Sequence, residues 1–95
     1  MSAHLQREIE RLKKKILSIS ARVEAAIQDA VRSLKNRDPA LAEKVIEGDA
    51  EIDRIEVEME EDCLKVLALY QPVAADLRYV VAVLKINNDL ERIGD

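Results

Sequence analysis

The chain has no Phe, no Trp and only two Tyr among its 95 residues, so any core must be built from aliphatic side chains. Two Gly and two Pro leave too few turn residues for a sandwich or barrel, which needs a turn every 8–12 positions. A single Cys excludes an intramolecular disulfide framework, and with a single His it excludes Cys/His zinc motifs. That cysteine usage points to a reducing compartment, and we expect the protein to be cytoplasmic. No uncharged apolar run is long enough to span a bilayer, and Met1 opens no signal peptide. What remains is 48% apolar and 36% charged, rich in Ala, Glu, Lys, Leu and Arg, the composition of long helices. Ninety-five residues allow one small domain, and a core that small often leans on a partner, a repeat or a ligand.

The net charge of −4 is unevenly spread: residues 1–37 carry nine bases against four acids, and residues 38–72 carry eleven acids against three bases. A nucleic-acid binder would concentrate positive charge over its surface, so that class loses weight. Two readings of the asymmetry stand. The basic first segment and the acidic second attract each other as neighbours, or the acidic segment is a face for cations.

Apolar residues recur at Leu5, Ile9, Leu12, Ile16, Ile19, Val23, Ala26, Ala30 and Leu34, a helical period close to a heptad seam. Asp38 is a good N-cap, and Pro39 suits the first position of a new helix. A second seam runs through Leu41, Val45, Gly48, Ile52, Ile55, Met59, Cys63 (or Asp62), Val66 and Tyr70. Gln71-Pro72 interrupts it, since a residue before proline is pushed out of the helical region. The spacing predicts helices at about 3–36, 39–70 and 72–95, and short links between long helices mean antiparallel neighbours. The fold class is all-α, an up-down-up three-helix bundle forming a single domain over 1–95. Helix 3 carries two apolar stripes, Leu77/Val80/Val81/Leu84 and Val83/Ile86/Leu90/Ile93. The second would stay bare in a lone bundle, and we expect a dimer in which helix 3 packs on helix 3 of a second chain.

Asp49 and Asp53 stand four apart on helix 2, where Glu56 and Glu60 continue the same side, and Glu91 and Asp95 stand four apart on helix 3. Residues four apart share a helical face. The midpoints of the two pairs each lie 21 residues from Pro72. In an antiparallel hairpin both pairs therefore sit level, about 31 Å from its tip. Facing helices that present clustered carboxylates are how bundles hold hard cations, and an all-oxygen set favours Mg²⁺, Mn²⁺, Ca²⁺ or Fe³⁺ over zinc or copper. The plainer reading is a solvated acidic face. Gly48, on the seam beside Asp49, suggests close approach of backbones. Cys63 reads as a buried small hydrophobe with no His to activate it, and His4 as inert surface.

Three runs carry a family resemblance: Glu47-Gly48-Asp49-Ala50-Glu51-Ile52-Asp53, then Gln71-Pro72-Val73-Ala74-Ala75-Asp76-Leu77-Arg78, then Lys85-Ile86-Asn87-Asn88-Asp89-Leu90-Glu91-Arg92-Ile93-Gly94-Asp95. In this order and spacing the sequence resembles the PhoU proteins, bacterial and archaeal regulators of phosphate uptake, over essentially its whole length. The resemblance implies two three-helix repeats in the full family member. It also implies acidic E(D)xxxD motifs that bind iron, manganese, magnesium or zinc, here Asp49, Asp53, Glu91 and Asp95. It implies a dimeric, cytoplasmic, non-enzymatic negative regulator that relays phosphate sufficiency between the phosphate ABC transporter, through its ATPase, and a sensor histidine kinase. The family runs to about twice this length, so this chain is expected to be a fragment or truncated form of a two-repeat protein. Two other classes are weighed against it. An all-helical chorismate-mutase-like enzyme would need Arg and Lys inside the bundle to hold a dicarboxylate, whereas Arg7, Arg11, Arg22 and Arg54 fall off the seams. A plain coiled-coil oligomerisation module leaves the level carboxylates without a purpose.

Overall fold

The computed structural model describes residues 3–94, and in them the chain forms α1 (Ala3–Lys35), α2 (Pro39–Tyr70) and α3 (Ala74–Gly94). Each helix packs on the other two, giving the up-down-up bundle that the seams predict. The first turn-round is built locally. Arg37 takes a left-handed conformation (φ 49°), its N–H donates to the Leu34 carbonyl, and the Asp38 N–H donates to the Ser33 carbonyl. This pattern caps the open carbonyls of α1 with arginine where glycine is usual. Asp38 then caps α2, its Oδ1 accepting from the Leu41 N–H at 3.1 Å, and Pro39 follows at the first helical position.

The second turn-round differs from expectation. Helix 3 starts at Ala74, not Pro72, because Gln71 ends α2 in the left-handed region (φ 44°) with its N–H on the Leu67 carbonyl. Antiparallel helices lie about 8–10 Å apart, and the extended Pro72 and Val73 are used to cross that gap. Pro72 is buried at the bundle end, and the Val73 carbonyl accepts from the N–H groups of Asp76 and Leu77.

The core is aliphatic, as the missing aromatics require. Leu5, Ile9, Leu12, Ile16, Ile19 and Val23 of α1 meet Met59, Cys63 and Val66 of α2 and Val80 and Val83 of α3. Tyr70 and Tyr79 pack half-buried against it near the hairpin tip. The core is deep only where three helices overlap. At the other end, α1 and α2 run on as a pair, so Leu34, placed on the seam by its spacing, is 79% exposed. Charge asymmetry resolves as attraction between neighbours: Lys15 of α1 pairs with Asp62 of α2, and Arg22 with Glu51 at 3.3 Å.

Two expectations about α3 and α2 are corrected. The buried row of α3 is Val80, Val83 and Asn87, which takes one member from each proposed stripe. Within the supposed bare stripe Val83 is buried and Leu90 half-buried, and only Ile86 and Ile93 remain exposed. A polar residue at the centre of the helix face displaced both stripes from the positions that apolar spacing alone assigned. Nor do backbones approach closely at Gly48: a Cβ built there meets nothing within 4 Å. It borders a hollow of about 200 Å³ whose α1 wall includes Ala25 and Ala26, small side chains that leave the space open. A helical glycine without a packing reason costs roughly 1 kcal/mol against alanine. Gly48→Ala is therefore expected to stabilise the fold by about that amount, read as a higher urea midpoint with unchanged slope.

Candidate metal centre

The register of α2 against α3 decides which acids meet. Asn87 Nδ2 donates to the Glu56 main-chain carbonyl at 2.9 Å, so positions 56 and 87 are level. Moving outward along the hairpin, Asp53 and Glu91 line one cleft of about 200 Å³ together with Glu56 and Val57. Further out, Asp49 and Ile93 border a neighbouring hollow with Val23, Ala26, Ile27, Ala30, Val45 and Ile52. The level argument thus places Asp53 against Glu91. Asp49 opens instead onto an apolar hollow on the side towards α1, and Asp95 lies outside the described residues.

The donor chemistry suits a hard cation, since the polar lining of the Asp53/Glu91 cleft is carboxylate oxygen. Among the described residues, however, no three His, Cys, Asp or Glu side chains converge on one point in a way that would hold an ion. Glu56, which the sequence reading placed on the same side as Asp49 and Asp53 but left out of the ligand set, is the addition. It is 1% exposed and borders the same cleft. Its signal was present: it stands three residues after Asp53 and three before the core residue Met59, so it must lie between the acidic face and the core. Asn87 was missed for the same reason, standing four after Val83 and seven after Val80 on the buried row. It is fully buried, and its Oδ1 has no hydrogen-bond partner among the described residues.

Other candidates fall away. Cys63 is fully buried and its thiol is pushed up to about 11, first by burial and then by the nearby Asp62 and Glu60 carboxylates, so it stays a neutral thiol at physiological pH. His4 is exposed at the start of α1. Arg54 points away from the cleft and pairs with Glu58 at 2.7 Å. The buried polar side chains among the described residues are Ser33, Glu56 and Asn87, so no cation is buried there to hold a dicarboxylate.

Comparison with known proteins agrees with the resemblance. The family model described as "PhoU domain" matches residues 16–95. The phosphate-specific transport system accessory protein PhoU of Serratia marcescens is 40% identical over 95 residues, all of this chain and 39% of the relative. Its homolog in Aquifex aeolicus is 43% identical over 91 residues, 96% of this chain and 41% of the relative. The Escherichia coli K12 protein is 37% identical over 95 residues, all of this chain and 39% of its own length. The chain therefore spans about two fifths of these relatives. No solved structure matches it. No helix among the described residues is long and apolar enough to cross a membrane. A three-helix fold, an acid pair brought level by its hairpin and a domain match over most of its length lead to one conclusion: the chain belongs to the PhoU family.

Proposed function

We propose that this chain is a non-enzymatic accessory regulator of phosphate uptake whose acidic α2/α3 face takes a hard cation. In this reading it acts in the cytoplasm as a negative regulator, relaying phosphate sufficiency between the ATPase of a phosphate ABC transporter and a sensor histidine kinase. It works as an assembly of copies joined through α3. The observation that carries the reading is the meeting of Asp53 and Glu91 in one cleft, on a chain whose relatives are named phosphate-transport accessory proteins. A cation there, whether iron, manganese, magnesium or zinc, would screen the repulsion between the two carboxylates and tie α2 to α3. Asp53 and Glu91 would hold it, with Glu56 behind them and Asp49 and Asp95 as the outer members of the two motifs.

The test is genetic. The chain is expressed in a bacterium deleted for its own accessory protein, and a phosphate-starvation promoter is read in rich and poor phosphate. Restored repression in rich phosphate is the expected result, and Asp53→Asn with Glu91→Gln should lose it. Promoter output that ignores the chain altogether would overturn the regulatory reading. Output that responds equally to the chain and its double variant would remove the cation from it.

A further inference from the structure

The α2/α3 end of the bundle is short of charge. In a chain that is 36% charged, Lys65 is the sole charged residue from 63 to 75. This stretch is not hidden: Ala68, Leu69, Gln71, Val73, Ala74 and Ala75 are exposed, and none carries a charge. Leu69 is 75% and Val73 70% exposed. The α1/α2 link at the opposite end contrasts with it, since Asn36, Arg37 and Asp38 meet solvent there with polar side chains. Connections between helices run over the surface, and contiguous apolar exposure marks a place that meets something other than water. The apolar end is also tied into the fold. Pro72 is buried just before Val73, and the Val73 carbonyl accepts from the N–H groups of Asp76 and Leu77.

Each helix contributes one unused cation around this end. Gln6 Nε2 donates to Asp76 Oδ2 at 3.5 Å, so the start of α1 is level with the start of α3. Arg7 of α1 and Arg78 of α3 stand beside that contact, and Lys65 lies about one turn before Leu69 on α2. All three are exposed, and none takes part in an ion pair among the described residues. Two acids share this end, and both are engaged: Glu8 by Arg11 at 3.2 Å and Asp76 by Gln6. The Lys15–Asp62 pair and the Asn87–Glu56 bond fix the levels of the helices, so residues 1–15 and 62–81 form the part of the bundle nearest the tip. That part carries seven bases against four acids, whereas the remainder carries eight against fifteen.

We propose that this end seats the protein on an anionic lipid surface, with Leu69 and Val73 entering the headgroup region and Arg7, Lys65 and Arg78 meeting lipid phosphates. Apolar side chains of a surface-bound segment enter a bilayer interface to about 5–10 Å. Lys65 precedes Leu69 by four residues, about 6 Å along the helix, which sets its ammonium at headgroup level when Leu69 is immersed. Lys and Arg suit that position, since their stems can lie among apolar groups while their heads stay at the phosphates. Charge placement selects the occupant. The unused cations stand on all three helices around the uncharged end, and a flat negative surface reaches all of them at once. A protein pocket would have to supply a separate acid opposite each. The acidic remainder does not oppose this contact strongly, because the molecule is 53 Å long and charges are screened over about 8 Å at physiological salt.

Seating on lipid is independent of cation binding and of promoter control, so its failure leaves the regulatory reading untouched. Co-sedimentation of the 95-residue chain with vesicles tests it, with phosphatidylglycerol mixed into phosphatidylcholine in one set and phosphatidylcholine alone in the other. The chain should pellet with the mixed vesicles at low salt, several-fold less in about 0.5 M salt, and hardly at all with phosphatidylcholine alone. Leu69→Glu with Val73→Glu, and separately Lys65→Glu with Arg78→Glu, should each lower the partition by about tenfold or more. Leu34→Glu with Ile46→Glu should leave it unchanged, although these far-end residues are 79% and 71% exposed. All six sites are exposed, so circular dichroism should stay that of the unmodified chain. The chain has no Trp, so Val73→Trp reports the tip alone; its emission should shift to the blue on mixed vesicles, and that of Ile46→Trp should not. A chain that stays in the supernatant with every vesicle overturns the proposal and leaves the apolar end to a protein pocket. Binding that the far-end variant lowers as much as the tip variant overturns the tip as the seat. Equal binding to both kinds of vesicle overturns the role of the three cations.

Discussion

Replacing Asn87 with Asp should remove about 3–5 kcal/mol of stability, the largest effect of any single isosteric change we foresee in this chain. Asn87 is fully buried and its amide N–H₂ donates to the Glu56 carbonyl at 2.9 Å. The substitution keeps size and shape but deletes the donor and sets a carboxylate against a carbonyl oxygen, beside the buried Glu56 side chain. An uncompensated buried charge costs about 3–5 kcal/mol, out of a total on the order of 5–14 kcal/mol for a domain of this length. Burial raises the folded-state pKa of the new carboxyl, so the loss should shrink as pH falls from that raised value to the usual carboxylate range, and change no further below it. Asn87→Leu is expected to behave in the opposite way. It removes a buried acceptor, Oδ1, that has no partner among the described residues, while the Glu56 carbonyl keeps its place within α2. Removing a poorly satisfied polar pair is often neutral or stabilising, so this variant should unfold at an equal or higher urea midpoint. An Asp variant as stable as the parent at pH 7 would show that Asn87 is not buried in solution.

The same residue marks the boundary of what the sequence made legible. Helix number, direction and the α1–α2 link followed from apolar spacing, from Asp38-Pro39 and from Gln71-Pro72, because those signals are local. So did the register of the hairpin: a point near Pro72 as pivot put 53 opposite 91, and the cleft joins those two. The start of α3 was not legible, because Pro72 satisfies both the first position of a helix and an extended link. Only the width of the gap between helices selects the second. The buried face of α3 was misread because apolar residues surround most of that helix. Its true centre is Asn87, which hydropathy counts as surface and the Glu56 carbonyl draws inside. Asp49 was legible as a helical neighbour of Asp53. Its opening towards α1, next to Ile27 and Ala30, depends on how two helices run on beyond the third.

The acid pair leads to the second large effect, and its sign reverses with conditions. In EDTA, Asp53 and Glu91 oppose each other across the cleft, so Asp53→Asn with Glu91→Gln should leave the melting temperature equal or slightly higher. With a bound cation the order inverts. A ligand held only by the folded state stabilises it by about 2.7 kcal/mol at a hundred times its dissociation constant. For a domain of this size each kcal/mol moves the midpoint by about 4–8 °C, so saturating Mn²⁺, Mg²⁺ or Fe³⁺ should raise the melting temperature of the unmodified chain by roughly 10–20 °C. The double variant should not respond. Asp49→Asn should weaken the response without abolishing it, because Asp49 borders the neighbouring hollow and not the cleft shared by Asp53 and Glu91. Identical melting curves for the unmodified chain with and without each metal would reduce the level carboxylates to a solvated face. The stabilisation of the double variant in EDTA would then be the whole of their contribution to the fold.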